Sequence, residues 1–481
     1  MGGMVVRVCC VFGLAVLFVV APALSGDQHP GGAFTEPPDP SPKGALQETA
    51  PPWSSRANGP AVQLTIDEAI STALANNPDM EMAASRILES QAMVKESRAA
   101  FWPSLQLYTE VLRADAPSVH AFKRLDQRQL PLVNFDFNEP GTFQNFESGM
   151  VARLNLFKGG GDLLRARIAR NEVKIQELDR DAVRNVLVAS VIGAYFNVLA
   201  ARDYVEIAEQ SIGTVEAQLR KVTVRFEGGS ALKSELLSME VRLAQVREER
   251  IRAENRHQLS LAALIHVLGL DGNPRVELSR DSWTPPAIPT AFEAGLAVAL
   301  DKRPELMRVR QEARSAQMNV DRERASYLPS VDLQLKAYVD DENMRYDADR
   351  GNWVAGVLMT WDLFTGFSTE ARVEQARARL ARIRAMDRKT LQAVELDVRQ
   401  AYSLYSEARA RLEVSRGAAA QAQEALRLVE IEYEKGSADI VRYLDAELSR
   451  NALRVSETAA LYDFRRAHAE VARALGHFAT Q

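Results

Sequence analysis

The sequence predicts a mainly α-helical fold with a membrane β-barrel contribution, in which one pattern of helices and strands occurs twice. Three observations predict this fold class. Equivalent motifs recur in the two halves of the chain at fixed offsets. Each half carries segments of alternating apolar and polar residues whose length suits a tilted membrane strand. Each half also carries a long proline-free helical run, far beyond the average helix.

The first 25 residues are predicted to be a signal peptide. Arg7 precedes an apolar run at 8–21, and small residues follow, so we expect cleavage after Ala23 or Ser25. A single membrane anchor is the alternative interpretation, but the run is shorter than the roughly 20 residues that span a bilayer. Beyond the signal peptide, we expect no stretch that is long and apolar enough for a transmembrane helix.

The only cysteines of the chain, Cys9 and Cys10, lie in this predicted signal peptide. The mature chain is therefore expected to have no disulfide and no thiolate metal site. Neither cysteine follows a convincing lipoprotein-type cleavage motif, so the sequence does not predict a lipid anchor and leaves open whether one is present. Residues 26–60 contain eight prolines and few large apolar residues, and this composition predicts a flexible extension.

Internal repeats divide the rest of the chain into two units, 61–280 and 281–481. The offset between equivalent motifs is 226 residues near the start of the units and 207 later, so the first unit carries a longer loop. The matched motifs are Asn77-Pro78 with Arg303-Pro304, Pro103-Ser104-Leu105 with Pro329-Ser330-Val331, Leu156-Phe157-Lys158-Gly159 with Leu363-Phe364-Thr365-Gly366, Phe226-Glu227-Gly228-Gly229-Ser230 with Tyr433-Glu434-Lys435-Gly436-Ser437, and Leu268-Gly269 with Leu475-Gly476.

Each unit is expected to begin with one helix. In the first unit, Thr65 and Glu68 have the spacing of a capping box, and Pro103 ends the helix because the residue before a proline avoids helical geometry. In the second unit, the helix starts near Ala291.

Two alternating segments follow in each unit and predict strands. The clearest is 331–339, with apolar residues at every odd position. Exposed tryptophans near strand ends are typical of membrane interfaces. A strand of a soluble sandwich is the alternative for any single segment. The predicted strands are 104–112, 150–157, 331–339 and 353–363, and the tryptophans near their ends are Trp102, Trp353 and Trp361.

A long helix and a return helix complete each unit. The long helices are predicted at 162–225 and 369–434, and each would reach roughly 95 Å. A glycine-containing turn then reverses the chain into the return helices, 234–267 and 440–474. Charged helices of this length indicate coiled-coil packing.

Four strands per chain are too few to close a barrel, since even small barrels need about eight. Open strand edges are not tolerated in lipid, so several chains must contribute strands to one barrel. This argument permits a dimer or a trimer.

Composition and motifs give no indication of an enzyme. The balance of 59 Lys and Arg against 64 Asp and Glu provides no basic face for nucleic acid. The six histidines form no metal-spaced pair, and no nucleophile motif is present. The glycines at 159–161 lack the Lys-Ser/Thr pair of a phosphate-binding loop and predict a strand-to-helix corner. We therefore predict no catalytic residue, no cofactor and no metal.

The duplicated plan resembles the TolC-like outer-membrane efflux family over about residues 61–481. The motifs that carry this resemblance are Asn76-Asn77-Pro78, Trp102-Pro103-Ser104-Leu105, Leu156-Phe157-Lys158-Gly159-Gly160, Tyr433-Glu434-Lys435-Gly436-Ser437 and Leu444-Asp445-Ala446-Glu447. The resemblance implies a homotrimer in the outer membrane, with a 12-stranded barrel and an α-helical periplasmic tunnel. It also implies a periplasmic adaptor protein and an inner-membrane pump or ABC exporter as partners, in tripartite efflux or type I secretion.

The resemblance further implies adaptor-contact turns at the tunnel tip: Gly228, Gly229, Ser230, Lys435, Gly436 and Ser437. The alternative is that these glycines serve only to reverse the chain.

The family narrows its tunnel mouth with two aspartates one helical turn apart. Asp445 matches one of them, whereas Arg442 stands at the other position and makes the constriction mixed in charge. The resemblance also implies a closed-state contact between Tyr433 and Glu235. The family's basic partner is replaced by Ala438, so Arg442 is expected to pair with Glu235. A solvated helix face is the alternative for these charges.

The main alternative function is a periplasmic coiled-coil adaptor or scaffold, which would share the helices. Adaptors carry one hairpin and a lipoyl-like β domain, and we find no such domain in the sequence. The sequence does not indicate the transported substrate or the class of inner-membrane transporter.

Overall fold

The computed structural model describes residues 62–479 except 131, 132, 134, 135, 273, 275, 281, 282, 346 and 347. The predicted signal peptide and the predicted extension at 26–60 lie outside the described residues. The elements are β1 (Val62–Leu64), α1 (Ile66–Asn76), α2 (Pro78–Ala99), β2 (Ser104–Ala114), α3 (Pro117–Asp126), β3 (Phe143–Lys158), α4 (Gly161–Glu227), α5 (Lys233–Leu268), β4 (Val276–Leu278), α6 (Phe292–Lys302), α7 (Pro304–Ala325), β5 (Ser330–Asp341), a 3-10 turn (Ala348–Arg350), β6 (Gly351–Thr360), α8 (Ser368–Glu434) and α9 (Ile440–Ala474).

Each unit begins with two helices, and the prediction of one continuous helix was wrong. The break falls before Pro78 and before Pro304, where Asn77 (ψ 128°) and Arg303 (ψ 116°) are extended. A proline restricts the preceding residue in this way, so the rule that we applied at Pro103 also acts inside the predicted helix. The capping box at the first helix is present, because the Glu68 carboxylate accepts from the Thr65 N–H at 2.8 Å and the Thr65 hydroxyl accepts from the Glu68 N–H at 3.3 Å.

The four longer strands form one antiparallel sheet in the order β2-β3-β5-β6. Strand β3 begins at Phe143, seven residues before the predicted start at 150. The apolar alternation is hidden there because Asn145 and Glu147 are buried polar residues on one face of the strand. Strand β6 ends at Thr360 and not at 363, and the indole N–H of Trp361, directly after it, donates to the carbonyl of Tyr327 at 3.1 Å.

The two faces of this sheet differ in polarity. One face exposes Leu105, Leu107, Trp353 and Val357, each more than 60% exposed. The registers place Tyr108, Glu147, Lys336 and Tyr338 on the other face. Strands β2 and β6 are the edges, and neither pairs on its outer side with any strand that the structure describes.

The long helices α4 and α8 have 67 residues each, which corresponds to about 100 Å. All four long and return helices begin and end within two residues of the predicted bounds. Helix α4 packs against α5 and α9, and α8 packs against α9. This order of elements confirms the predicted plan of helices, hairpin, long helix and return helix in both units.

Helix α4 contains one segment that is long and apolar enough to cross a membrane, with a mean hydropathy of 1.5, and our prediction of none was wrong. Half of that window is buried. The side chains of Leu187, Ile192, Phe196 and Leu199 lie in the main hydrophobic core, together with apolar residues of α1, α5 and α9. The apolar composition therefore reflects burial among helices.

Gly269 closes the first unit onto its own beginning. It follows α5 in the left-handed region, with φ at +68°. A Cβ atom there would lie 2.5 Å from the carbonyl oxygen of Asn76 and 2.8 Å from the Cα of Asn77.

Strands β1 and β4 form a parallel pair that is joined to α4 through Tyr195. The Tyr195 hydroxyl lies 2.9 Å from the Leu64 carbonyl oxygen and 2.7 Å from that of Ser279.

We expect Gly269→Ala to destabilise the fold by about 1–3 kcal/mol more than the control Gly272→Ala. Both glycines have positive φ, but nothing lies within 4 Å of a Cβ at Gly272, so only Gly269→Ala adds steric overlap. Thermal unfolding of the two purified variants, followed by circular dichroism, measures the difference. Equal melting temperatures would show that the close approach at Asn76 is unimportant.

Candidate functional site at the helix tips

The six predicted contact residues form the two turns that join α4 to α5 and α8 to α9. Both turns are built in the same way. Gly229 and Gly436 have φ values of +72° and +78°, a conformation that favours glycine. The N–H groups of Ser230 and Ser437 donate back to carbonyls of the last helical turn at 2.7 and 2.9 Å. These are helix C-terminal turns of the Schellman type.

All six turn residues are exposed. The hydroxyls of Ser230 and Ser437 also bond backward, to the carbonyl oxygens of Arg225 and Glu432, each at 3.0 Å. The serines therefore stiffen their own turns. What the turns present to a partner is exposed backbone and the side chain of Lys435.

The Tyr433 hydroxyl donates to the Glu235 carboxylate at 3.2 Å, and this bond joins the end of α8 to the start of α5. Tyr433 is 3% exposed, and its ring lies 5.7 Å from that of Tyr443. Burial and the nearby Glu235 carboxylate raise the pKa of the Tyr433 hydroxyl above its usual value. The hydroxyl therefore stays protonated at physiological pH and remains a donor.

Arg442 does not pair with Glu235, and the prediction that it would was wrong. Its guanidinium forms a salt bridge with Glu432 at 3.2 Å. The physical reason is local. The turn at 435–437 brings the last residues of α8 beside the first turn of α9, where Asp439 caps the helix by accepting from the Arg442 N–H at 2.9 Å.

Asp445 lies three residues after Arg442 on α9, and both side chains are exposed. Asp445 forms no ion pair with any residue in the described part of the chain. Arg442 and Asp445 thus present two opposite charges one helical turn apart, and the positive charge is partly compensated by Glu432.

Four helices share one small core behind these charges. Val222, Met239, Tyr433 and Tyr443, from α4, α5, α8 and α9, are each less than 4% exposed and belong to one hydrophobic cluster. At the surface, Lys221 of α4 pairs with Glu434 of α8 at 2.7 Å. The two hairpins are therefore held together at their tips by apolar contacts, the partly buried Tyr433–Glu235 hydrogen bond, and exposed ion pairs of Lys221 with Glu430 and Glu434.

A buried polar cluster lies further from the tips, and the sequence analysis missed it. Glu447 of α9 is fully buried, and its carboxylate accepts from Arg242 of α5 at 2.8 Å and from Ser211 of α4 at 2.9 Å. Asn451 donates to both Glu447 and Ser211. This cluster joins the two units, because α4 and α5 belong to the first unit and α9 belongs to the second.

The signal that could have revealed this cluster is helical spacing. Ile440, Tyr443, Glu447 and Asn451 recur at intervals of three and four residues, so Glu447 falls on the buried stripe of α9. A buried carboxylate requires a partner, and an arginine on an adjoining helix is the usual one. The sequence could indicate that a partner exists, but not that it is Arg242.

The contacts at the tips are apolar packing, a hydrogen bond and ion pairs, all of which hold the helices together. Among the described residues, no group of three or more His, Cys, Asp or Glu side chains is placed to hold a metal ion. The residues that the sequence analysis selected lie at the hairpin tips. Arg442 and Glu235 are among them, but they do not pair with each other.

The family model described as "Outer membrane efflux protein" matches residues 69–270 and 296–477. These two matches fall within the two repeats and together cover most of the chain.

Two curated relatives extend over most of their own length. Protein CyaE of Bordetella pertussis is 26% identical over 374 residues, which cover 77% of this chain and 74% of the relative. The pyoverdine export outer membrane protein OpmQ of Pseudomonas aeruginosa is 22% identical over 385 residues, which cover 79% and 78%.

Among solved structures, that of CusC, described as forming a transmembrane channel, superposes with a TM-score of 0.74 at 21% identity. The match covers 88% of this chain and 95% of the CusC chain. The helix–hairpin–helix plan is therefore the fold of a known channel protein.

We expect Glu447→Ala to destabilise the purified protein by about 3 kcal/mol, because the buried Arg242 guanidinium loses its buried carboxylate and keeps only the partly exposed one of Glu249, at 3.4 Å. The control is Glu424→Ala, which removes an exposed pair with Arg427 on the surface of α8 and should leave the melting temperature unchanged. Melting temperatures of both variants in the same detergent test this. Similar shifts in the two variants would contradict a stabilising role of the buried cluster.

Proposed function

Since the chain belongs to the outer membrane efflux protein family and is an outer-membrane channel subunit, we propose that three copies share one conduit. The conduit crosses the outer membrane as a barrel and continues through the periplasm as a tunnel of helices. The observation that carries this proposal is the four-stranded sheet with free edges at β2 and β6.

Free edges expose unpaired N–H and C=O groups, and lipid provides no hydrogen bonds for them. Edge β2 of one copy must therefore pair with edge β6 of the next. Two copies would give eight strands and three would give twelve, and both numbers can close a barrel. The resemblance to TolC-like channels favours three.

The conduit is proposed to be a passive exit duct, without catalysis, for cargo that an inner-membrane transporter delivers through a periplasmic adaptor. The fold supports this, since helices of about 100 Å extend far beyond a membrane of roughly 30 Å. The names of the relatives leave the cargo open, because OpmQ is described as exporting pyoverdine and CyaE carries no description of a substrate.

The exposed turns at 228–230 and 435–437 are the proposed contacts for the adaptor. They lie at the ends of the hairpins opposite to the sheet, which is the end of the proposed conduit nearest to the inner membrane. Each presents exposed backbone in a stiff, glycine-dependent geometry.

Arg442 and Asp445 are the proposed constriction at the mouth. In a trimer they form two rings of opposite charge, separated by three residues of helix, or about 4.5 Å along its axis. Rings of opposite charge attract both cations and anions and cancel each other's long-range field. We therefore expect weak charge selectivity at this mouth.

Tyr433 and Glu235 are the proposed latch of the closed mouth. Their hydrogen bond joins the two hairpins of one chain at the tip, where opening requires the hairpins to separate. The Tyr433 side chain is buried, so loss of the bond would leave its hydroxyl without an acceptor.

The proposed function is tested by expressing the full chain in a Gram-negative host and separating the membranes. We expect the protein in the outer-membrane fraction, a mass of three chains in detergent, and ion-conducting pores in planar bilayers. A stable monomer in detergent-free buffer would overturn the proposal.

We expect Glu235→Ala to raise single-channel conductance several-fold, because the mouth loses its latch. Tyr433→Phe removes the same hydrogen bond and should act in the same direction. Glu240→Ala is the matched control, since this exposed glutamate of α5 has no hydrogen bond or ion pair with the described residues. Conductance that equals the wild-type value in both latch variants would argue against this role.

A further inference from the structure

The two units of the chain are related by constant offsets in the structure as well as in the sequence. Helix α2 begins and ends 226 residues before α7, and helix α4 begins and ends 207 residues before α8. The hairpins share one register too. Leu107 opposes Met150 in the first hairpin, and their equivalents at these offsets, Leu333 and Val357, oppose each other in the second. Residues of the first unit therefore have structural equivalents in the second.

The first unit meets the second along one side of the chain. Strand β3 pairs with β5, and helix α4 packs against α7. Two side-chain contacts fix the height of α4 against α7. The Asn171 amide donates to the Ser315 hydroxyl at 2.8 Å, and the Arg308 guanidinium lies 3.9 Å from the Asp179 carboxylate. This junction is a template for any other contact between the end of one unit and the start of another.

The elements that would form a second junction of this kind are uncovered in one chain. The equivalents of β3 and α4 are β6 and α8, and the equivalents of β5 and α7 are β2 and α2. Strands β6 and β2 are the edges of the sheet in the described part of the chain. Helix α7 packs between α4 and α8, whereas α2 packs against α4 and exposes Met82, Leu88 and Met93. A second copy of the chain supplies the missing neighbours.

The register of the missing strand pair follows from that of β3 and β5. Met150 opposes Ala337 in that pair, and their equivalents are Val357 on β6 and Val111 on β2. Both valines lie on the apolar face of the sheet, and they are 64% and 59% exposed. Directly opposed residues must lie on the same face of a sheet, and this register satisfies that condition.

The same equivalence places α8 of one copy against α2 of the next. The contact between Asp179 and Arg308 corresponds there to a contact between Met386 and Met82, which are 45% and 51% exposed. A charged pair inside the chain is replaced by two apolar side chains at the equivalent positions. The replacement on α8 therefore matches the replacement on α2.

The two helices also carry opposite charges where they would adjoin. The segment 377–389 of α8 has six basic side chains against one acidic, and none of the six forms an ion pair with any residue that the structure describes. The opposing segment of α2, 79–89, has three acidic side chains in the same state, and its one basic residue, Arg86, pairs with Asp179 at 3.2 Å. Opposite charges favour α2 of another copy as the neighbour of α8. These side chains are Arg377, Arg379, Arg382, Arg384, Arg388 and Lys389 on α8 and Asp79, Glu81 and Glu89 on α2.

We propose that copies of the chain join in the register of the internal repeat. Strand β6 of one copy pairs with β2 of the next with Val357 opposite Val111, and α8 packs against α2 of the next copy with Met386 beside Met82. This inference rests on the proposed shared barrel. Each copy presents one edge and receives the other, so the contact is head-to-tail and closes as a ring.

Disulfide formation tests the strand register, because the chain has no cysteine after Cys10. We expect Val111→Cys combined with Val357→Cys to give covalent dimers and trimers on oxidation, since directly opposed residues have Cβ atoms about 5 Å apart. The matched control is Leu107→Cys combined with Val357→Cys. Leu107 lies on the same face and is 72% exposed, but four residues displace it by about 13 Å along the strand. The control should stay monomeric on a denaturing gel without reductant.

A second pair tests the helix contact independently of the strands. We expect Met82→Cys combined with Met386→Cys to link copies through a short bismaleimide reagent. The matched control is Met93→Cys combined with Met386→Cys, since Met93 is 44% exposed but lies about 16 Å further along α2. The control should give far less linked product.

The outcomes separate this inference from the function on which it rests. If the variants form pores in bilayers but the proposed pairs link no better than their controls, the register is wrong and the channel stands. If the wild type forms neither an oligomer nor a pore, the proposed function fails and the inference fails with it.

Discussion

The unpaired edges of the four-stranded sheet are the constraint on which the rest of the molecule depends. In lipid, each free backbone N–H and C=O group costs several kcal/mol, and β2 and β6 expose a full strand of them. Only pairing with other copies removes this cost. The sheet also separates an apolar face from a polar one, so that closure of the barrel decides at once which side chains meet lipid and which meet water.

The helical part solves a different problem, since helices of 67 residues extend far beyond the roughly 30 Å of a membrane. They are held by packing in separate places. One is the large core around Tyr195 and Phe196, and another is the small core around Tyr433 and Tyr443. Between them the buried carboxylate of Glu447 joins three helices from both units. Such a network is costly to break, because it would leave a buried charge without its main partner.

Polar contacts of two kinds join the hairpins at their tips. At the tips, a tyrosine–glutamate hydrogen bond and exposed ion pairs hold the hairpins together, and exposed ion pairs weaken in salt.

The sequence by itself determined the features that depend on neighbouring residues. The repeats, the glycine turns at 229 and 436, the bounds of the long helices and the alternation at 331–339 all follow from short-range patterns. Only the tertiary structure decided which distant residues meet. In the tertiary structure, Arg242 pairs with Glu447 and Arg442 pairs with Glu432. Strand β3 extends through the buried Asn145 and Glu147, and helix α3 packs on the polar face of the sheet. The reason is that the spacing of a polar residue along a helix can show in the sequence that the residue will be buried and will need a partner. The identity of that partner depends on which helices and strands pack together.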